Sequence, residues 1–208
     1  STLIFPEILK DFLMDYPKIT VNIKVDDANT CSQKLLDGTI DFAVCGEPEL
    51  ILENYYHPFF YDTLNVIVSD QHPLAEKKAV HLSDLAEERF IFTPANCPIR
   101  LQIEQHLHRE LGNRYKKMEL TSSMSHEYYV RENIGISIFT STAHSKPFNG
   151  TKVIPILNLD ITPPIGLLTN QKEVHFDRAT KDLIARITKR FQQRSKELEG
   201  TSDKTITG

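Results

Sequence analysis

Any chemistry in this chain must come from a small set of side chains. Hydroxyl, amide and thiol groups gather just ahead of helical stretches at Ser1–Thr2, Thr30–Ser32, Asn96–Cys97 and Ser122–Ser123. A helix N-terminus carries about half a positive charge and free N–H groups, so several aimed at one place make an anion site. Plain capping is the competing reading of each, because caps prefer these residue types everywhere. Arg100 opens the helical stretch after Cys97 and could clamp a carboxylate through two hydrogen bonds. An ion pair with Glu104, four residues on, accounts for it equally well. Cys97 stands before a helix start, a position that lowers a thiol pKa. A redox role needs a partner thiol, and Cys31 or Cys45 could serve only if the fold brings one close. An unreactive small side chain is the plainer reading.

Other chemistries are excluded by what the sequence lacks. The eight histidines offer no metal set. His106 and His108 are two apart on a helix and face different ways. His57, His72, His81, His126, His144 and His175 fall in different elements, so solvated or loop histidines are expected. The three cysteines have no metal spacing, which suits a reduced, cytoplasmic protein. There is no G-x-S-x-G elbow and no Walker or dinucleotide glycine pattern, and no acid–base pair is assembled. The chain is therefore expected to be neither an enzyme nor a holder of a metal or cofactor. Lys and Arg total 24 against 28 Asp and Glu, a net charge of −4, so it is not itself a nucleic-acid grip. No apolar run approaches the roughly 20 residues of a membrane span. No signal peptide is visible, and Ser1 is no natural start, so a trimmed N-terminus is expected.

The elements that must position these groups follow from hydrophobic period. Leu35–Gly46 is the organising stretch: an apolar helical face closes at Leu35 and Leu36, Gly38 reads as the residue after a helix C-cap, and Ile40, Phe42 and Val44 form a short apolar run. Before it, Ile19, Val21, Ile23 and Val25 alternate with polar residues, a strand by period. Strand, helix and strand in that order imply a parallel sheet. An amphipathic helix precedes this unit over 3–16 and stops at Pro17. Further on, strands are expected over 55–61, 64–69, 90–92, 117–121, 134–139, 153–157 and 165–169. Helices are expected over 83–88, 99–111, 126–132 and 176–198. The 208 residues suit two small α/β lobes: 1–68 with 170–199, and 69–169, joined by crossings near Leu64–Ser69 and Ile165–Thr169. Residues 200–208 are left as a tail. Small ligands favour the crevice at the carboxyl ends of such strands.

Four segments carry a family resemblance. LLDGTIDFAV resembles the L-x-x-G-x-x-D-x-A-I signature in the effector-binding domain of LysR-type transcriptional regulators. FPEILKDFLMDYP is similar to that family's opening helix, SDQHPLAEKKAVHLSDLAEERFI to its H-P-L-A…L-x-D-L segment, and RENIGISIF to its V-x-x-G-x-G-I turn. The resemblance runs from Ser1 to about Arg194. It implies a periplasmic-binding-protein-like fold of two Rossmann-like subdomains joined by two crossover strands. It also implies a cytoplasmic sensor that takes a small, anionic effector between the lobes and works as a homodimer, tetrameric in the full-length regulator. DNA would be read only by an N-terminal winged helix-turn-helix that this chain does not include. A solute-binding protein feeding a transporter is the alternative on the same fold.

Family position adds weight to Ser32, Asn96, Cys97 and Ser122. Thr140 stands where the family has Pro, making that edge more polar, and Asn133 where it has Gly. The expected effector-binding residues are Ser1, Thr2, Thr30, Ser32, Asn96, Cys97, Arg100, Ser122, Ser123 and Thr140. The family also opens with a strand ahead of the first helix, which this chain starts after. Lys204–Gly208 reads as such a strand relocated to the tail, with an ordinary flexible tail as the competing reading.

Overall fold

The computed structural model describes residues 5–49, 54–122, 125–143, 148–170 and 175–205. Its elements in chain order are α1 (Phe5–Asp15), α2 (Ala28–Leu36), β1 (Ala43–Gly46), β2 (Tyr55–Tyr61), β3 (Leu64–Ser69), β4 (Arg89–Phe92), α3 (Pro98–Leu111), β5 (Lys116–Glu119), α4 (His126–Arg131), β6 (Ser137–Thr140), β7 (Thr151–Pro155), β8 (Pro164–Thr169) and α5 (Arg178–Thr205). Two 3-10 turns, Pro73–Glu76 and Leu82–Leu85, follow β3. The chain separates into two α/β units, Ser1–Tyr61 with Pro164–Gly208, and Asp62–Pro163. The two segments expected to cross are each a strand within one unit: β3 in the second, β8 in the first.

In the first unit β8 lies between β1 and β2 and is antiparallel to both. Strand alternation sorts its residues into layers. Phe42, Val44 and Ile165 pack with α1 and α5 around Ile8, Phe12, Phe60, Ile187 and Phe191. Ala43, Cys45 and Leu168 turn the other way, onto Cys31 and Leu35 of α2. Two ion pairs tie α1 to α5, Arg186–Asp15 at 2.5 Å and Arg190–Glu7 at 3.4 Å. Pro58 is tolerated because β2 is the edge strand, and a register shift follows it. Gly166 is required where β8 meets that irregularity, since a Cβ there would stand 2.8 Å from the Pro58 Cα. Gly38 ends α2 with φ +66°, as its place in the sequence predicts.

Two expectations in this unit are corrected. Ile19–Val25 forms no strand and belongs to no sheet. The only strand hydrogen-bonded to β1 among the described residues is β8, so this stretch has nothing to ladder with, and Ile23 stays 60% exposed. The tail is not a relocated strand at Lys204 and Thr205, because α5 continues through both. One interior Gly at 200 costs only about 1 kcal/mol, and no Pro stops the helix. The rest of that segment, 206–208, lies outside the described residues.

In the second unit β3 lies between β6 and β7, antiparallel to each. β4 and β5 are parallel, and a parallel bridge between Phe90 and Ile136 sets β4 beside β6. Val66, Val68, Phe90, Phe92 and Ile136 face α3 and the 3-10 turns, meeting Ile103, Leu107, Leu82 and Leu85. Ile67 and Ile91 face Val130 of α4. The helix expected over 83–88 is only the turn Leu82–Leu85, and Glu87 at φ +70° cannot continue it. Asn133 takes φ +55° after α4, the left-handed turn for which Asn substitutes for Gly.

Candidate functional site

Three parallel strands of the second unit end at one edge. Phe92 of β4 is level with Glu119 of β5, and Leu120 N–H donates to the Phe92 carbonyl at 2.9 Å. With Ile136 level with Phe90, β6 brings Thr140 to that edge too. The turns leaving these strands carry Asn96 and Cys97, then Ser122, then Thr140. Four of the expected effector residues thus lie at the carboxyl ends of neighbouring strands, where open α/β sheets place ligands.

The N-terminus of α3 is the distinctive part of this edge. Its N-cap, Cys97, makes no side-chain cap hydrogen bond, Pro98 supplies no N–H, and the first turn holds no acidic residue. The helix therefore brings no carboxylate of its own first turn to its positive end. α2 in the first unit is the contrast. There Asp27 caps the helix, accepting from Thr30 N at 3.0 Å and from the Thr30 hydroxyl at 2.6 Å. Thr30 is spent on its own cap. Ser32 is buried, and its hydroxyl accepts from Asn54 Nδ2 at 2.7 Å.

Arg100 lies three residues before Ile103, on the buried stripe of α3, and is 9% exposed. Its Nε donates to Glu104 at 3.1 Å, and its Nη1 donates to Glu119 at 2.5 Å and to the Thr93 carbonyl. The guanidinium stacks over Phe92 with 5.1 Å to the ring centroid. Burial works against its charge, but the Glu119 and Glu104 carboxylates outweigh that and hold its pKa above the ordinary value. Burial likewise works against Glu104, and Lys117 at 2.6 Å with Arg100 reverses it, leaving this carboxyl below its ordinary value. Arg100 thus ties the turn after β4 to the end of β5. The Glu104 pair is the one that the i, i+4 spacing announces.

Two buried groups near this edge carry no sequence motif. Asp62, 2% exposed, accepts from Thr63 N at 2.8 Å, from Thr142 N at 3.0 Å and from the Thr142 hydroxyl. It pins the chain just beyond β6, and its main partner is eighty residues away. His126, 1% exposed, has Nδ1 3.0 Å from the Ser137 hydroxyl, which donates to the Ile91 carbonyl at 2.6 Å. The hydroxyl proton is used, so Nδ1 must carry the donated hydrogen. His126 Nε2 is buried without a hydrogen-bond partner. Burial holds this imidazole below its ordinary pKa against a smaller opposing effect from the Leu120 backbone.

Ser1, Thr2 and Ser123 lie outside the described residues. Asn96 and Ser122 are exposed, and Cys97 and Thr140 are half-buried. Cys97 belongs to the second unit, whereas Cys31 and Cys45 pack together in the first. Among the described residues no group of three or more His, Cys, Asp or Glu could hold a metal ion.

Comparison with known proteins gives the family and the fold. A family model described as LysR substrate binding domain matches residues 1–192. The HTH-type transcriptional regulator YtlI of Bacillus subtilis (strain 168) is 99% identical over 208 residues, covering 100% of this chain and 68% of that protein. The regulatory domain of CcmR from Synechocystis PCC6803 in complex with 2-PG superposes with a TM-score of 0.73 at 24% identity, over 88% of this chain and 91% of that one. The effector binding domain of QuiR in complex with shikimate gives 0.71 at 22% identity, over 92% and 91%.

Proposed function

The chain belongs to the family of LysR substrate binding domains, and from that premise we propose that it senses a small anionic metabolite at the strand-end edge of the second unit. It is the effector-binding module of a LysR-type transcriptional regulator, not an enzyme. The observation that carries the site assignment is the N-terminus of α3. Its N-cap, Cys97, makes no side-chain cap hydrogen bond, its first turn holds no acid, and it opens beside Ser122 and Thr140. Backbone N–H groups of that turn would hold an anionic group, with Asn96, Ser122 and Thr140 supplying hydrogen bonds around it. Arg100 serves here as the brace that fixes both turns. The complexes of QuiR with shikimate and CcmR with 2-PG support an effector of this charge.

The remaining parts of the reading concern the longer protein. The domain is proposed to pair as a homodimer, to assemble further in the full-length regulator, and to act in the cytoplasm. DNA is read by a winged helix-turn-helix outside this chain. No helix among the described residues is long and apolar enough to cross a membrane. The transporter alternative is set aside, because the 99% identical relative is an HTH-type regulator.

A thermal-shift screen over small acids, including shikimate, 2-PG and benzoate, tests the site. A ligand at about a hundred times its dissociation constant adds nearly 3 kcal/mol, an easily read shift. Ser122→Ala and Thr140→Pro are expected to weaken a hit while leaving the unliganded midpoint nearly unchanged. A hit of equal affinity in both variants would remove this edge as the site.

A further inference from the structure

The first unit holds a pair of thiols that the effector reading does not use. Cys31 lies four residues before Leu35 on the inner face of α2, and β1 turns Cys45 to the same side as Ala43. All four pack in one apolar cluster with Leu168. Both thiols are free, and neither is bridged to another cysteine. We propose that Cys31 and Cys45 are a peroxide-oxidisable dithiol whose disulfide staples α2 to β1.

Three observations fit that assignment. The two thiols share one apolar cluster on consecutive elements, α2 and β1, so a bond between them closes a short loop within that packing. The two groups are unequal: the hydrogen bond from Cys45 lowers the Cys31 pKa, whereas the Cys31 hydrogen bond and then burial raise that of Cys45. Cys31 is only 8% exposed, so a small hydroperoxide reaches it more readily than a bulky disulfide would.

The chemistry balances with hydrogen peroxide as oxidant. The Cys31 thiolate attacks one peroxide oxygen, the O–O bond breaks, and Cys31 becomes a sulfenic acid as hydroxide leaves and takes up a proton to give water. Cys45 gives up its thiol proton and attacks the Cys31 sulfur. The S–S bond forms, the S–O bond breaks, and a second water leaves. Two thiols lose two electrons and one peroxide gains them. The bond would lock the helix whose first turn holds the Asp27–Thr30 cap. Because it rests on packing within the first unit, the proposal stands or falls independently of the anion site.

The test is thiol mapping of the 208-residue chain after one equivalent of hydrogen peroxide. The expected result is an intact mass lower by two hydrogens and a Cys31 peptide cross-linked to the Cys45 peptide. Cys97 stays open to alkylation, and dithiothreitol reverses the change. Cys45→Ser, under the same dose with dimedone present, is expected to trap a sulfenic adduct on Cys31 and to give no cross-link. Three thiols that alkylate as before, a cross-link through Cys97, or one joining two chains would each overturn the proposal. The wild-type map decides the matter even if the variant does not fold.

Discussion

Acidification is expected to weaken this protein through His126. Burial holds that imidazole below its ordinary pKa, so the unfolded chain takes up a proton that the folded chain refuses. The contribution to stability is full above the unfolded-state value of about 6.5 and is lost as pH falls below it, until the folded-state value is passed. One proton of imbalance costs at most about 1.4 kcal/mol per pH unit, so going from about pH 7 to about pH 5.5 removes no more than about 1 kcal/mol. The structure also says what the proton disturbs. The ring joins α4 to β6 and β4 through Ser137 and the Ile91 carbonyl, and a charged ring has only the Leu120 backbone to offset its burial. His126→Asn keeps a donor for Ser137 without a titrating group. Urea unfolding at a series of pH values measures the difference. The wild type should lose stability more steeply than the variant below about pH 6.5. Burial raises the nearby Glu127 carboxyl, which adds stability as pH falls through the carboxylate range, but it does so in both proteins and cancels. Parallel pH profiles would refute the reasoning.

Three further outcomes follow from packing and hydrogen bonding. Asp62→Ala strands the Thr142 N–H and hydroxyl in a buried position and should cost about 2–4 kcal/mol in urea unfolding. Phe191→Ala empties a fully buried site ringed by Phe5, Phe59 and Phe60 and should cost about 3–5 kcal/mol, read in the same way. Arg100→Ala should lower stability by about 2 kcal/mol, because Glu104 and the Thr93 carbonyl lose a buried partner, and should weaken any anionic ligand as well. Unchanged stability in that variant, by calorimetry, would show that the brace carries no strain.

What the sequence made legible was local. Gly38 and Asn133 were readable because a left-handed turn admits few residue types. The strand-end turns carrying Asn96, Cys97, Ser122 and Thr140 were readable because helix caps and chain order announce them. Arg100 was readable in part: the i, i+4 rule named Glu104, but Glu119 lies nineteen residues off and no spacing rule reaches it. Asp62 and Thr142 are eighty residues apart, and Cys31 and Cys45 sit on consecutive elements of different period, so neither pairing leaves a periodic trace. Ile19–Val25 shows the opposite error. Its alternation describes what a strand face looks like, whereas a sheet also needs a second backbone within hydrogen-bonding distance.

That stretch has a practical corollary for handling the isolated chain. Backbone outside any sheet, bearing Ile19, Ile23 and Val25 at the surface, sets greasy side chains beside a chain with no strand partner, a combination that recruits like segments from other molecules. Crowding therefore works against the sample. Dilute stocks should keep discrete particles in solution, while concentrated ones drift toward oligomers of no fixed size, and light scattering over a dilution series would register the trend.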